Sequence, residues 1–276
     1  MILSFHPCFT ADAQIIPGAR KLDSTDRSLI RGAEAVILPQ TCSPALYRVC
    51  KASSAFLFPN YDCRFRYPGK TGQSRLFEKM GWPHPETWRR RSPGVVLGKS
   101  IPEMPFFIKA DESHEGSGVW LIRNREDLEA ALIRLEGWGR LRFLVQKVIP
   151  CQGNVLRVVV LGRTFFCYWK RPRAPGRMVT TVSRGAKIDK RWRADLREKG
   201  VVQAKRVCRE SEIDLAAMDF VFSMGDPDPQ PLILEINYSF GRRGLGGSLP
   251  YYRMLYKAIR ERLQERGIDP KRVKLV

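Results

Sequence analysis

The chain has 276 residues, is 43% hydrophobic and 28% charged, and carries a net charge of +20. That balance excludes a disordered chain and leaves room for one large domain or two modest ones. No apolar run approaches the roughly 20 residues of a membrane-spanning helix, and 48 Lys+Arg against 28 Asp+Glu favour anionic partners over cationic ones.

Seven scattered cysteines, none in a Cys-x-x-Cys pair, argue against a disulfide framework or a zinc site and for reduced thiols. The three histidines (His6, His84, His114) have no metal-ligand spacing. Met1–Pro7 lacks the basic leader and apolar run of a secretory signal, so the expected location is the cytoplasm. Basic clusters lie at Trp88–Arg91, Lys187–Arg197 and along the tail from Lys257 to Lys274. They suit phosphate contacts, but no helix-turn-helix, zinc finger or aromatic RNA-binding motif accompanies them.

Short apolar runs at Ile2–Phe5, Ala35–Leu38 and Ala55–Phe58 read as buried parallel strands. Helical stretches at Ser24–Gly32 and Pro44–Ala52 separate them, giving a small α/β module. Asn60–Gly72 is a turn-rich joint, Thr71–Met80 a helix ended by Gly81, and Trp82–Thr87 an extended Pro-rich segment. Phe106–Ala110 and Val119–Ile122 form a hairpin, and Arg125–Glu136 is an amphipathic helix. Strands follow at Phe143–Val148, Leu156–Val160 and Thr164–Trp169, the last two joined through Leu161-Gly162. Ala194–Ser211 is helical, and Tyr251–Arg266 is a closing helix before Gly267.

Two strands near the C-terminus carry the clearest chemistry. Met218–Phe222 and Leu232–Asn237 flank a Gly/Pro/Asp-rich loop and read as a hairpin. Paired with Asp219 opposite Glu235, and Phe222 opposite Leu232, they put Asp219, Glu235 and Asn237 on one face. Phe220, Phe222, Leu234 and Ile236 then occupy the other. Two carboxylates and an amide are hard oxygen donors that suit Mg²⁺ shared with substrate phosphates.

A second segment, Phe106–Val119, delivers Lys109 at a strand end and then a loop containing Gly116 and Gly118. A lysine supplies a compact cation for a phosphate, and glycines let backbone N–H groups close over an anion. The Gly-x-x-x-x-Gly-Lys-Ser/Thr phosphate loop is absent.

Taken in order, Gly69-Lys70-Thr71, Lys109 with its Gly loop, Val145–Ile149, Gly153–Arg157, Trp169–Arg171, Ser183–Gly185 and the Asp219/Glu235/Asn237 set form a series. The series resembles the ATP-grasp superfamily, specifically the RimK-like carboxylate–amine ligases related to glutathione synthetase. It covers roughly residues 68–250. The resemblance implies an α+β fold with two lobes gripping ATP, at 68–145 and 146–276, after a shortened α/β domain at 1–67. It implies that Lys70 and Lys109 contact nucleotide phosphates, and that Gln146–Ile149 is the inter-lobe linker, with Lys147 and Ile149 meeting the adenine edge. Arg157 and Arg171 match arginines near the transferred phosphate and the carboxylate substrate. Asp219, Glu235 and Asn237 match the ligands of Mg²⁺, for which Mn²⁺ can substitute. The implied reaction is ATP-dependent joining of a carboxylate to an amine or thiol through an acyl phosphate.

The chain departs from the family pattern in three places. Relatives commonly place a ribose-binding acid where Val155 stands; Lys147 replaces a linker acid, and Met178–Ala186 lacks the usual Asn and Gly-Gly. Arg242 and Arg243, in the loop Ser239–Gly247, could receive an acidic amino acid or peptide carboxylate. Three classes of function stay open: a ligase first, then a nucleotide-binding ATP-grasp protein without turnover, then a basic nucleic-acid-binding protein.

Overall fold

The computed structural model describes residues 1–53, 55–92, 102–111, 117–139, 142–174 and 185–276. Its first unit contains β1 (Ile2–Ser4), β2 (Phe9–Thr10), β3 (Ala13–Gln14), α1 (Ser24–Arg31), β4 (Ala35–Ile37), α2 (Pro44–Lys51) and β5 (Phe56–Phe58). The three apolar runs expected to be parallel strands are so, in a sheet of order β3-β1-β4-β5. Local chemistry starts both helices. Asp23 and Asp26 form a capping box at α1, and the Ser43 hydroxyl accepts the Leu46 N–H at α2, with Pro44 in the first turn.

A second sheet follows. It is built by α3 (Asp62–Arg66), α4 (Gly69–Met80), β6 (Thr87–Arg90), β7 (Phe106–Ala110), β8 (Val119–Ile122), α5 (Arg125–Gly137) and β9 (Phe143–Lys147). The antiparallel order is β6-β9-β7-β8. α5 buries Leu128, Ala131, Leu132 and Leu135, a helical stripe that packs on Phe106, Ile108, Phe143 and Val145.

The third part comprises β10 (Val155–Leu161), β11 (Thr164–Arg171), β12 (Lys187–Asp189), α6 (Ala194–Ser211), β13 (Leu215–Val221), β14 (Leu232–Asn237), α7 (Ser248–Gln264) and β15 (Lys274–Leu275). Its five strands are antiparallel in the order β12-β11-β10-β13-β14. On one face Leu156, Val158, Ala216, Met218 and Phe220 pack on Leu196, Ala204 and Val207 of α6. On the other, Val159, Leu161, Leu215 and Ala217 pack on Tyr251, Leu255 and Ala258 of α7. Beyond the reach of α7, that second face carries Val155, Arg157 and Asp219, by strand alternation. β15 returns to pair with β2. Among the described residues no helix is long and apolar enough to cross a membrane.

The C-terminal hairpin corrects the sequence reading in one respect. Asp219 does oppose Glu235, but a bulge after Asp219 sets Phe220 against Ile233 and Val221 against Leu232. Leu232 therefore does not face Phe222. The extra residue, Leu234, packs with Cys151, Val155 and Val221 on the site's own face, not with Phe220.

α6 approaches β10 closely at Gly200, where an added Cβ would overlap the buried Leu156 side chain. Gly200→Ala is expected to destabilise the protein by about 1–3 kcal/mol, despite the better helix propensity of alanine. Urea denaturation measures this.

Candidate nucleotide and metal site

β13 lies between β10 and β14, so Asp219 has Arg157 on one side and Glu235 on the other. Its carboxylate is buried and receives four donors. Arg157 Nε donates to Oδ1 and Nη2 to Oδ2, each at 2.8 Å. Lys170 Nζ donates to Oδ2 at 2.8 Å, and Asn237 Nδ2 lies 3.4 Å from the same oxygen. Burial pushes the Asp219 pKa up, but the charges of Arg157 and Lys170 and their hydrogen bonds overcome that and hold it below the usual carboxylate range. Reciprocally, the Arg157 pKa is raised. Lys170, fully buried, has its pKa lowered by desolvation against the pull of Asp219.

Two more lysines arrive from the second sheet. Lys70, in the first turn of α4, places Nζ 3.9 Å from Glu235 Oε1. Asp111 holds that turn, accepting the Thr71 N–H at 2.7 Å and the Thr71 hydroxyl at 2.8 Å. Gly69 is required before it: φ is +67°, and a Cβ would run into the Asp111 carboxylate. Further along α4, the Gln73 side chain donates to Ile236 O at 2.9 Å and accepts from Ile236 N at 2.8 Å, pinning the helix to β14. Lys109 Nζ donates to Gln146 Oε1 at 2.6 Å, and Gln146 Nε2 donates to Thr87 Oγ1 at 2.9 Å. Burial lowers the Lys109 pKa to about 8, with Glu235 opposing the shift.

An apolar bed of Ile149, Cys151, Val155, Val221, Leu232 and Leu234 adjoins these charges. Val155 belongs to it, while the Asn154 amide turns back to donate to Cys151 O at 3.1 Å. The Lys147 N–H is already given to Glu86 O at 3.0 Å, whereas Ile149 N makes no hydrogen bond among the described residues. The free donor at the bed's edge is thus Ile149, and Lys147 contributes no free N–H. Gly118 closes the β7–β8 hairpin by accepting Ala110 N–H at 2.8 Å. Gly116 and Thr181 lie outside the described residues.

Arg171 is not with the others. It donates to Asp189 Oδ2 at 2.9 Å and lies 4.3 Å over the Trp192 ring, on the α6 face of the sheet. The residue that does face Asp219 is its neighbour Lys170, which sequence reasoning missed. Strand alternation contained the signal: β11 pairs Tyr168 with Arg157 and Lys170 with Val155, so even-numbered residues of β11 share the Arg157 face. The Ser239–Gly247 loop docks at this end, with Gly244 against Tyr168 where a Cβ would overlap the ring. Arg242 stacks 4.7 Å and 4.5 Å from the Tyr251 and Tyr252 ring centres. With Arg243, Ser248 and His6 it lines a cavity of about 450 Å³. His6 is held neutral, its pKa lowered to about 4 by burial and by Arg242.

Four cations around two carboxylates, beside an apolar bed with a backbone donor, suit a nucleotide with its phosphates. Comparison with solved structures agrees on the scaffold. N5-carboxyaminoimidazole ribonucleotide synthetase in complex with ADP superposes with a TM-score of 0.62 at 14% identity, over 84% of this chain and 60% of that one. The chain has the ATP-grasp fold. A RimK-domain ATP-grasp protein from Sphaerobacter thermophilus matches over 92% of this chain and 97% of its own, with a TM-score of 0.56 and 15% identity. D-alanine–D-alanine ligase from Helicobacter pylori matches with a TM-score of 0.60 and 14% identity, covering 81% and 71% of the two chains. In sequence, the chain is 26% identical over 182 residues to a probable alpha-L-glutamate ligase of Shewanella amazonensis. That match spans 65% of this chain and 58% of the relative. No protein-family model matches.

Removing one partner of a buried ion pair strands the other charge. Arg157→Met is therefore expected to cost about 3–5 kcal/mol in chemical denaturation. Arg171→Met, at a half-exposed pair, should cost about 1 kcal/mol or less.

Proposed function

We propose that this chain is an ATP- and Mg²⁺-dependent ligase that joins an amino-acid or peptide carboxylate to an amine through an acyl phosphate. The observation that carries the reading is the convergence of Lys70, Lys109, Arg157 and Lys170 on Asp219 and Glu235, beside the apolar bed. The ADP complex among the structural neighbours and the glutamate ligase among the sequence relatives support the same reading. We assign the lobes to 68–145 and 146–276, and the leading domain to 1–67.

The bed would receive the adenine, with the Ile149 N–H at its edge. Lys70 and Lys109 would bind phosphate oxygens, and Arg157 with Lys170 would offset charge on the transferred phosphoryl group. The donor set fits magnesium: Glu235 and Asn237 are partly exposed beside Asp219 and offer hard oxygens on one face. Bound there, Mg²⁺ would polarise the phosphates and neutralise their charge. A substrate carboxylate attacks the γ-phosphorus, forming the acyl phosphate as ADP departs. An amine then attacks the acyl carbon and phosphate leaves, the amine's proton passing to solvent. The protein places these groups and supplies no nucleophile. The cavity around Arg242 and Arg243 is our candidate for the carboxylate substrate, in keeping with the basic field.

A second reading, nucleotide binding without turnover, is favoured by Val155, which gives the bed no acceptor for sugar hydroxyls. ADP and phosphate release with candidate acid–amine pairs separates the two.

Calorimetry with ATP and Mg²⁺ tests the site itself. Both Glu235→Gln and Asp219→Asn are expected to weaken binding at least tenfold, about 1.4 kcal/mol. Wild-type affinity in both variants would overturn the assignment. Lys109 adds a pH signature. Its pKa is lowered from the lysine range to about 8, so in the free protein it carries its charge below that pH and loses it above. The ATP dissociation constant should therefore rise as pH passes about 8. In Lys109→Met the affinity should be weaker and the rise absent.

A further inference from the structure

An ionised carboxylate offers about four lone-pair positions to donors. At Asp219 the load is uneven: Oδ1 receives only Arg157 Nε at 2.8 Å, whereas Oδ2 receives Arg157 Nη2 and Lys170 at 2.8 Å and Asn237 at 3.4 Å, three donors against about two positions. A divalent cation shared between Asp219 and Asn237 adds at Oδ2, the oxygen that the Asn237 amide faces, and must displace a donor there. Arg157 is held at both ends of a planar fork, which makes it the hardest to move. Asn237 makes the longest contact, but its departure alone would leave an ammonium 2.8 Å from Oδ2, beside an incoming dication. That arrangement is strongly repulsive in a buried setting. Lys170 is a single point charge on a flexible stem, so it is the group that can leave.

We infer that Lys170 is an internal stand-in for the metal: its ammonium neutralises Asp219 in the metal-free protein and must vacate Oδ2 before a divalent cation can bind between Asp219 and Asn237. This rests on reading Asp219, Glu235 and Asn237 as the metal ligands. A displaced ammonium in a buried site needs another anion, and its side chain is only 6% exposed to water. Glu235, the other carboxylate acting on it, is itself a ligand. The remaining partner is the phosphate chain of a bound nucleotide. Metal and nucleotide then enter together, and metal alone binds weakly because it must expel a buried cation that has nowhere to go. Lys170 is in this sense a positioning residue for metal entry, whatever else it does in turnover.

The test is Mn²⁺ binding to the full chain, followed by the resonance signal of free Mn²⁺, with and without ADP. Wild type should retain Mn²⁺ with ADP and bind it poorly alone. Lys170→Gln, which removes the competing charge, should bind Mn²⁺ without nucleotide at least tenfold more tightly than wild type. Lys170→Arg, which keeps the charge, should stay weak. Thermal melting checks that the variants fold. A second measurement on wild type is independent of the Gln variant: the Lys170 side-chain ammonium signal in a ¹⁵N-lysine spectrum, identified by its absence in Lys170→Arg. It should move when Mg²⁺ and ADP are added. Equal nucleotide-free Mn²⁺ affinity in wild type and Lys170→Gln would overturn the inference, as would an unmoved Lys170 signal. Wild type that fails to retain Mn²⁺ even with ADP would instead overturn the metal assignment, and this inference with it.

Discussion

A carboxylate in the middle of a five-stranded sheet cannot remain ionised unless cations are buried with it, and the site follows from how Asp219 meets that constraint. An unpaired buried charge is penalised by several kcal/mol. Asp219 escapes the penalty by drawing donors from three other strands: Arg157 on β10, Lys170 on β11 and Asn237 on β14. Each must stand on the same face and at the right register, so the carboxylate checks the alignment of the sheet as well as its charge. A slip of one residue in any of these strands would turn its donor to the α6 face. The cations are consequently in place before any ligand arrives, which is what electrostatic preorganisation requires.

α4 extends that order to the second sheet. Its first turn is fixed by Asp111, two residues beyond Lys109, and its next turn by the paired hydrogen bonds of Gln73 to Ile236, one residue beyond Glu235. One helix therefore sets the spacing between Lys70, Lys109 and Glu235. The Pro-rich segment before β6 makes a further link, with Ile233 N–H donated to Pro83 O at 2.8 Å and Lys147 N–H to Glu86 O at 3.0 Å. Gln146 shows the same economy: it satisfies the ammonium of Lys109 and is itself satisfied by Thr87 on β6.

Much of this was legible in the sequence because period-two patterning and turn residues report directly on strands. The three N-terminal runs, the β7–β8 hairpin and α6 lie where the residues put them. The Asp219–Glu235 pairing was likewise readable, since the loop length and apolar alternation left few registers. The bulge after Asp219 was not, because no glycine or proline marks it; the extra residue is an ordinary leucine. Choosing Arg171 over Lys170 had a different cause. Both residues are basic and adjacent, and which one faces the site depends on the register of β11 against β10, a long-range fact. The Lys109–Gln146 contact joins residues 37 apart and leaves no local pattern.

β13 contains its own control for these electrostatics. Asp214, just before the strand, and Asp219 within it are both 5% exposed, yet their pKa values move in opposite directions. Asp214 accepts the Asn60 N–H at 2.8 Å, but its Oδ2 has no donor and the Arg262 guanidinium stays 3.7 Å away. Burial prevails there and lifts its pKa to about 6. At Asp219, two cations in hydrogen-bond contact reverse the sign of the same burial. Depth in the protein does not decide whether a carboxylate is charged near neutral pH; the number of cations touching it does. Asp214 joins the first unit to the third through one neutral donor and a distant charge, and it can be protonated at mildly acidic pH without losing that donor. Asp219 cannot take up a proton without abandoning Arg157 and Lys170 together, which keeps it an anion wherever the sheet is intact. A permanent anion flanked by one fixed cation and one that can move is what a site needs if it is to hold a divalent metal and polyphosphate in one turn of the cycle and stand empty in the next.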